Sequence, residues 1–271
     1  MVEITGTTRL YGILADPIHH VKTPQMLNAF MAQEGIDGVT VPMHVGADDL
    51  AALMAGLKHM KNLGGLIVTV PHKTAVLDLC DEVTDSARRI GAVNTIRRTA
   101  DGRLIGEMLD GKGFVGGLIA GGIAPEGRSA YLAGAGGAAN AIAFALAQAG
   151  VSRLTIANRT RAKAEDLADR LKDAFPGLQV DIGSPDPSGH DIVVNATSLG
   201  LRDGDPLPLD ADRLAPEQIV AEIIMQPEQT ALLKAAAARG CRVHFGKPML
   251  ACQRELMAAF LELSAPAGTA E

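Results

Sequence analysis

Tyr131-Leu132-Ala133-Gly134-Ala135-Gly136-Gly137-Ala138-Ala139 is the stretch on which the fold turns. A short apolar run ends in closely spaced glycines, and the Ala-rich stretch Asn140–Ala149 follows at once. A strand that passes through a glycine turn into a helix opens a dinucleotide-binding βαβ unit. In that reading Gly134 makes the turn, Gly136 lets the backbone approach a pyrophosphate, and Ala139 lets the helix lie close to the sheet. The first amides of the helix then face the phosphates. Gly134, Ala135, Gly136, Gly137 and Ala138 are the candidate cofactor-binding positions of this turn.

About 20 residues further on, a carboxylate would mark a site for an unphosphorylated ribose. The chain instead reads Asn158-Arg159-Thr160-Arg161-Ala162-Lys163. A carboxylate would repel a 2′-phosphate, whereas Arg159 pairs with it and stacks on adenine, and Thr160 and Lys163 add donors. The expected cofactor is therefore NADP, not NAD. A third segment, Asn195-Ala196-Thr197-Ser198, ends the apolar run Asp191–Asn195 in small polar residues, which would border the nicotinamide ribose at the carboxyl edge of a parallel sheet.

Working outward, short β-branched runs alternate with Ala/Leu-rich stretches, the pattern of an α/β chain with helix-covered parallel strands. Before the glycine turn, strands are expected near Leu10–Ala15, Gly38–Val45 and Leu66–Val70, and helices near Pro24–Glu34, Ala47–Met60 and Lys73–Leu79. Later strands are expected at Ser129–Ala133, Arg153–Asn158, Gln179–Ile182, Asp191–Asn195, Gln218–Ile223 and Cys241–Phe245. A final amphipathic helix is expected over Pro248–Ser264, followed by a disordered tail, Ala265–Glu271. The Gly-dense stretch Gly111–Gly127 separates the two strand series and reads as the neighbourhood of a domain junction.

Composition narrows the function classes. The 271 residues are 47% hydrophobic and 21% charged, with a net charge of −6, which describes a globular chain and excludes collagen-like or disordered ones. A net acidic chain with 3% aromatic residues and no Trp offers little to nucleic acid. No apolar run is long enough for a membrane span, and no basic-then-apolar leader opens the chain. Cys80, Cys241 and Cys252 stand far apart with no CxxC pair, so a reducing, cytoplasmic setting is expected. The seven His form no HExxH or HxxEH pattern, so no metal is expected.

Two segments of the first half carry chemistry. Gly64-Gly65-Leu66-Ile67-Val68-Thr69-Val70-Pro71-His72-Lys73 delivers a lysine at the end of a strand, beyond a proline that stiffens the approach. Gly91-Ala92-Val93-Asn94-Thr95 leads through a hairpin near Asp101-Gly102 to Asp110, just ahead of the Gly-dense stretch. Hydride transfer to or from a secondary alcohol leaves one proton to handle, which an acid/base group beside the oxygen must do.

Taken together and in order, these motifs resemble the shikimate dehydrogenase family over nearly the whole chain. The carrying residues are Thr69-Val70-Pro71-His72-Lys73, Gly91-Ala92-Val93-Asn94-Thr95, Asp110-Gly111 with Gly113-Phe114, Gly134 to Ala138, Asn158-Arg159-Thr160, Asn195 to Ser198 with Gly200, and Met249-Leu250 with Gln253. The resemblance implies a substrate domain made of residues 1–109 and 246–271, an NADP-binding Rossmann domain at 110–245, and a C-terminal helix returning to the first domain. It implies that Lys73 and Asp110 form a catalytic dyad across an interdomain cleft, that Thr23, Thr69, Asn94 and Gln253 meet the substrate, and that Gly246 adjoins the cofactor. Which member of the dyad moves the proton is left open by sequence. The implied partner is a small molecule, an anionic cyclic polyol acid, and the implied assembly is a monomer or homodimer.

The chain departs from the family pattern at one pocket. Where the family reads His-Ser-x-Ser-Pro, this chain has His20-Val21-Lys22-Thr23-Pro24, and Ile67, Met108-Leu109 and Met225 stand where the family places Asn, Asn-Thr and Tyr. Each lost partner of a buried polar substrate group costs ~1–3 kcal/mol. Lys22 or His20 are the candidate replacements for binding a carboxylate. Three functional readings follow: NADP-dependent interconversion of 3-dehydroshikimate and shikimate, or a close relative such as quinate; a paralogous dehydrogenase of a more apolar alcohol or ketone; and a non-catalytic NADP-binding regulator.

Overall fold

The computed structural model describes residues 3–19 and 21–263. They divide into two compact units, one ending at Leu109 and resuming at Arg254, the other spanning Asp110–Gln253. His20, Ser264 and the tail Ala265–Glu271 lie outside the described residues.

The first unit runs β1 (Arg9–Ala15), α1 (Thr23–Gln33), β2 (Gly38–His44), α2 (Leu50–Leu57), β3 (Leu63–Val68), β4 (Glu82–Val83), α3 (Asp85–Ile90), β5 (Thr95–Arg98) and β6 (Leu104–Glu107). Its sheet has the order β2-β1-β3-β5-β6-β4. β1 lies parallel to β2 and β3, while β5 is antiparallel to both β3 and β6, so this sheet is mixed, and its antiparallel part includes the hairpin expected near Asp101-Gly102. The central strands explain their own apolar runs: β3 is buried along its whole length. Edge strand β2 alternates in burial, and its outer backbone is occupied by Asn28, which accepts from Thr40 N at 2.7 Å and donates to Thr40 O at 3.0 Å. A capped edge carrying Pro42 resists pairing with another strand.

The helix expected over Lys73–Leu79 is shorter and tighter, a 3-10 helix over Ala75–Leu79. Its approach is a turn in which His72 N donates to Thr69 O, and the Lys73 carbonyl accepts from Val93 N at 2.8 Å, which takes that carbonyl out of any helical ladder.

The second unit runs α4 (Asp110–Ala120), β7 (Ser129–Ala133), α5 (Gly137–Gln148), β8 (Arg153–Ala157), α6 (Arg161–Ala174), β9 (Gln179–Ile182), β10 (Ile192–Asn195), β11 (Ile219–Glu222), α7 (Ala231–Ala238), β12 (Arg242–His244) and the start of α8 (Lys247–Phe260). The sheet order is β12-β11-β10-β7-β8-β9, with every pairing parallel. Counted from β7, that is the 3-2-1-4-5-6 order of a doubly wound sheet, and the switch point lies between β7 and β10. The core on one side gathers Tyr131, Val193, Val220, Leu232 and Leu233, side chains of a size that contribute ~1.5–3 kcal/mol each when fully buried.

The Gly-dense stretch is not a linker at its start: residues 110–120 form helix α4. Glycine disfavours helices by ~1 kcal/mol each, and packing is what overrides that here. A Cβ at Gly111 would stand 2.0 Å from Ala141 O of α5, and one at Gly117 2.9 Å from Met249 N of α8. The glycine face of α4 thus holds the first turns of α8. The division between units accordingly falls after Gln253, within α8, and not ahead of that helix at Gly246.

Candidate active site

In the second unit, β7 ends at Ala133 and the chain turns at Gly134, whose φ is +119°. A Cβ there would lie 2.8 Å from Ala196 O and 3.4 Å from Ala139 Cβ, so both the backbone conformation and the close approach exclude a side chain. Gly134 N donates to Ala157 O at 2.8 Å and Ala196 N to Ala133 O at 2.9 Å, which tie the turn to the ends of β8 and β10. Gly136 precedes α5 with no side chain capping the helix, and a Cβ on it would meet nothing within 4 Å. Open space above uncapped amides, beside a sheet switch point, fits a pyrophosphate.

The segment after β8 stands at the neighbouring strand end. Asn158 Nδ2 donates to Thr160 O at 2.9 Å, shaping the turn, while Arg159, Thr160 and Lys163 are exposed. Arg161 is engaged with Glu165 at 2.7 Å, one helical turn on, so among these cations it is a helix-surface partner.

β10 delivers Asn195, which is fully buried and central to a network. Its Oδ1 accepts from Thr197 N at 3.0 Å and Thr197 Oγ1 at 2.7 Å, and its Nδ2 donates to Leu199 O and to Glu222 Oε2, each at 3.0 Å. Glu222, at the end of β11 and 0% exposed, also accepts from Thr230 Oγ1 at 3.0 Å, Ile223 N at 2.9 Å and Ile224 N at 3.1 Å. Burial pushes its carboxyl above the usual range, and these donors pull against it. Gly246 packs against the same segment, a Cβ on it falling 2.5 Å from Ile224 O. Glu222 was not among the residues singled out from sequence, although an acid closing the apolar strand Ile-Val-Ala-Glu is a signal for a buried partner.

Asp110 opens α4 and is 3% exposed; its Oδ1 accepts from Gln253 Nε2 at 2.7 Å. Two residues far apart in the chain are thereby brought together in one unit. The contact depends on Gly113, where a Cβ would come within 2.3 Å of Gln253 Cγ.

In the first unit, the end of β3 and the start of β5 set the other group. Val68 N donates to Asn94 O at 2.8 Å, and the Asn94 Oδ1 accepts from Leu109 N at 2.9 Å and Thr95 Oγ1 at 3.1 Å, so this nearly buried amide braces the chain leading to Leu109. His72, 1% exposed, holds Val45 O through Nε2 at 2.8 Å and anchors the turn that carries Lys73, which is half-buried. Thr69 is half-buried at the end of β3, Thr23 is half-buried at the start of α1, and Lys22 is exposed just ahead of it. Of the departures from the family pattern, Val21, Ile67 and Leu109 share one apolar cluster with Tyr11, Leu27 and Met257.

Residues 13–96 match the shikimate dehydrogenase substrate binding domain, and residues 121–199 match the shikimate / quinate 5-dehydrogenase model. The NADP(+)-dependent shikimate dehydrogenase of Rubrobacter xylanophilus is 42% identical over 260 residues, covering 93% of this chain and 89% of that one. The chain belongs to the shikimate dehydrogenase family. Among solved structures, shikimate 5-dehydrogenase from Thermus thermophilus, in complex with NADP(H) and shikimate, superposes with a TM-score of 0.84 at 33% identity, covering 94% of this chain and 93% of that chain. The ligand-free 5-ketofructose reductase of a Gluconobacter strain gives the same TM-score at 37% identity, covering 94% and 92%.

Proposed function

We propose that this family member is an NADP-dependent oxidoreductase that interconverts 3-dehydroshikimate and shikimate, or a close cyclic hydroxycarboxylate such as quinate. Bound along Gly134–Ala138 with its 2′-phosphate at Arg159, the dinucleotide supplies or accepts the hydride. Thr160 and Lys163 add donors beside Arg159, and Asn195 to Ser198 with Gly246 border the nicotinamide end. Lys73 moves the proton at the substrate oxygen, and Asp110 orients the reacting hydroxyl. Reduction then consumes one hydride and one proton and leaves a secondary alcohol. Thr23, Lys22, Thr69, Asn94 and Gln253 hold the remaining hydroxyls and the carboxylate.

The observation that supports this most is the buried Asp110 carboxylate, fixed by Gln253 at 2.7 Å at the head of α4. Holding an acceptor in a fixed orientation ahead of the reaction is what an acid/base site requires. The free thiols Cys80, Cys241 and Cys252 support a cytoplasmic setting, and the capped edge of β2 supports a monomer, or a homodimer that does not use that edge. Among the described residues, no helix is long and apolar enough to cross a membrane.

A specific observation favours a second reading. Val21, Ile67 and Leu109 pack into an apolar cluster, and a relative of similar likeness is named for a keto sugar, which has no carboxylate. Reduction of a neutral polyhydroxy ketone suits a site with fewer anchors for an anion. Steady-state kcat/KM for shikimate, quinate and 5-ketofructose on one preparation separates the two. The first reading requires turnover of a cyclic hydroxycarboxylate, and the lack of any such turnover refutes it.

A further inference from the structure

The first unit holds a concave site at the edge of its sheet away from Thr69, His72 and Lys73. This cleft has a volume of about 1080 Å³ and lies where β1 and β3 begin and where the β5–β6 hairpin turns. β1 alone, at 7 residues, separates the two edges by about 20 Å. The cleft is built from one unit only.

Its chemistry runs against the chain's net charge of −6. Arg9, Lys58, Lys61, Arg97, Arg98 and Arg103 line it, with His59, against three acids, Asp81, Asp101 and Glu262. Several of these cations are fixed in place. Arg98 donates through Nε to Lys58 O at 2.9 Å and through Nη1 to Thr99 O at 3.1 Å. Lys58 Nζ meets Asp81 at 2.8 Å, and Asp81 also accepts from Leu104 N at 2.8 Å, which joins the floor of the cleft to β6. The hairpin wall is ordered by Thr99, whose Oγ1 accepts from Arg103 N at 3.0 Å. Arg97 pairs with Glu262, yet its Nε is buried without an acceptor. His59 and Lys61 are exposed and have no ion-pair partner among the described residues.

Lys58, Arg97 and Arg103 are each paired, with Asp81, Glu262 and Glu82, which leaves Arg9, Lys61 and Arg98 lining the cleft without an ion-pair partner among the described residues, and an anion with several oxygens would meet them together. We infer that this cleft binds a compact polyanion carrying two or more phosphate groups, at a site separate from the dinucleotide loop. The volume suits a small molecule. Two sources share this chemistry, free pyrophosphate and a nucleotide polyphosphate, and they differ in whether a base adds contact.

The test is isothermal titration of the full chain with sodium pyrophosphate and, separately, with ATP, at low ionic strength and with saturating NADP+ occupying the dinucleotide loop. The comparison is Arg9→Gln combined with Lys61→Gln, both at exposed positions. One ligand per chain is expected in the unaltered protein, with a rise in melting temperature on binding. The double variant, melting normally without ligand, should bind at least about tenfold more weakly, the equivalent of one lost charge-assisted contact. Tighter binding of ATP than of pyrophosphate would assign a nucleotide, and equal binding the phosphates alone. The inference is overturned if neither anion binds at about 10 mM, a concentration well above the range useful to a cell, or if the double variant binds as tightly as the parent.

Discussion

Replacing Glu222 by alanine removes the acceptor of four donors at the end of β11: Asn195 Nδ2, Thr230 Oγ1 and the backbone amides of Ile223 and Ile224. Asn195 retains Leu199 O, and the Thr230 hydroxyl is free to rotate, so the two backbone amides carry most of the loss. A buried donor left without a partner costs ~1–3 kcal/mol. Against this stands the relief of no longer burying a carboxylate, since Glu222 is 0% exposed and its carboxyl is raised by that burial. The balance is a loss of about 3 kcal/mol, which at ~2–4 °C per kcal/mol for a body of this size lowers the melting point by about 6–12 °C. Because Asn195 bonds this carboxylate and Thr197 in turn bonds Asn195, the loop they shape loosens too, and the dissociation constant for NADPH should rise. Calorimetric melting and NADPH titration read both effects. A Glu222→Ala protein that melts within about 2 °C of the parent and binds NADPH equally well would refute the reasoning.

The same residue has a pH signature. Its folded carboxyl titrates above the ordinary 4.5, so between the two values the folded chain keeps a proton that the unfolded chain has lost. Its contribution is therefore fullest below about pH 4.5 and declines as pH rises through the raised value. Glu222→Gln does not titrate, so the stability advantage of the parent over this variant should shrink with rising pH across that window. An advantage that is flat or grows with pH contradicts the assignment.

Other expectations follow from individual contacts. Arg159→Ala, at an exposed position, should leave melting unchanged while weakening NADPH by about ten- to a hundredfold and NADH little; equal losses for both would remove the 2′-phosphate contact. Gly111→Ala places a methyl group 2.0 Å from Ala141 O and should cost about 1–3 kcal/mol by forcing α4 and α5 apart, measured by chemical denaturation.

Much of the second unit was legible because its central strands β7, β8, β10 and β11 are buried along nearly all their length and read as apolar runs. Ser129–Ala133 falls where its apolar run placed it, and the edge strand Gln179–Ile182 where its alternation of polar and apolar residues did. The hairpin expected near Asp101-Gly102 is present as β5 and β6, paired antiparallel across the Thr99–Arg103 turn; the turn residues signalled it, whereas Thr-Ile-Arg-Arg and Leu-Ile-Gly-Glu carry too much charge to mark the strand bounds locally. Helix α4 was hidden by its own glycines, which oppose a helix locally and are required by the close packing against α5 and α8. The Asp110–Gln253 contact joins residues 143 apart in sequence, so no periodicity foretells it. Glu222 escaped notice because a single acid in a strand is read as exposed until its donors are seen.

The central claim, that Lys73 and Asp110 carry the proton chemistry of an NADP-linked reduction, is tested most directly by two variants assayed for turnover and NADPH binding on the same samples. Lys73→Ala and Asp110→Asn should each lower kcat by about 10²–10⁴, with the NADPH dissociation constant held within about twofold of the parent. A near-normal kcat in either variant would contradict the account.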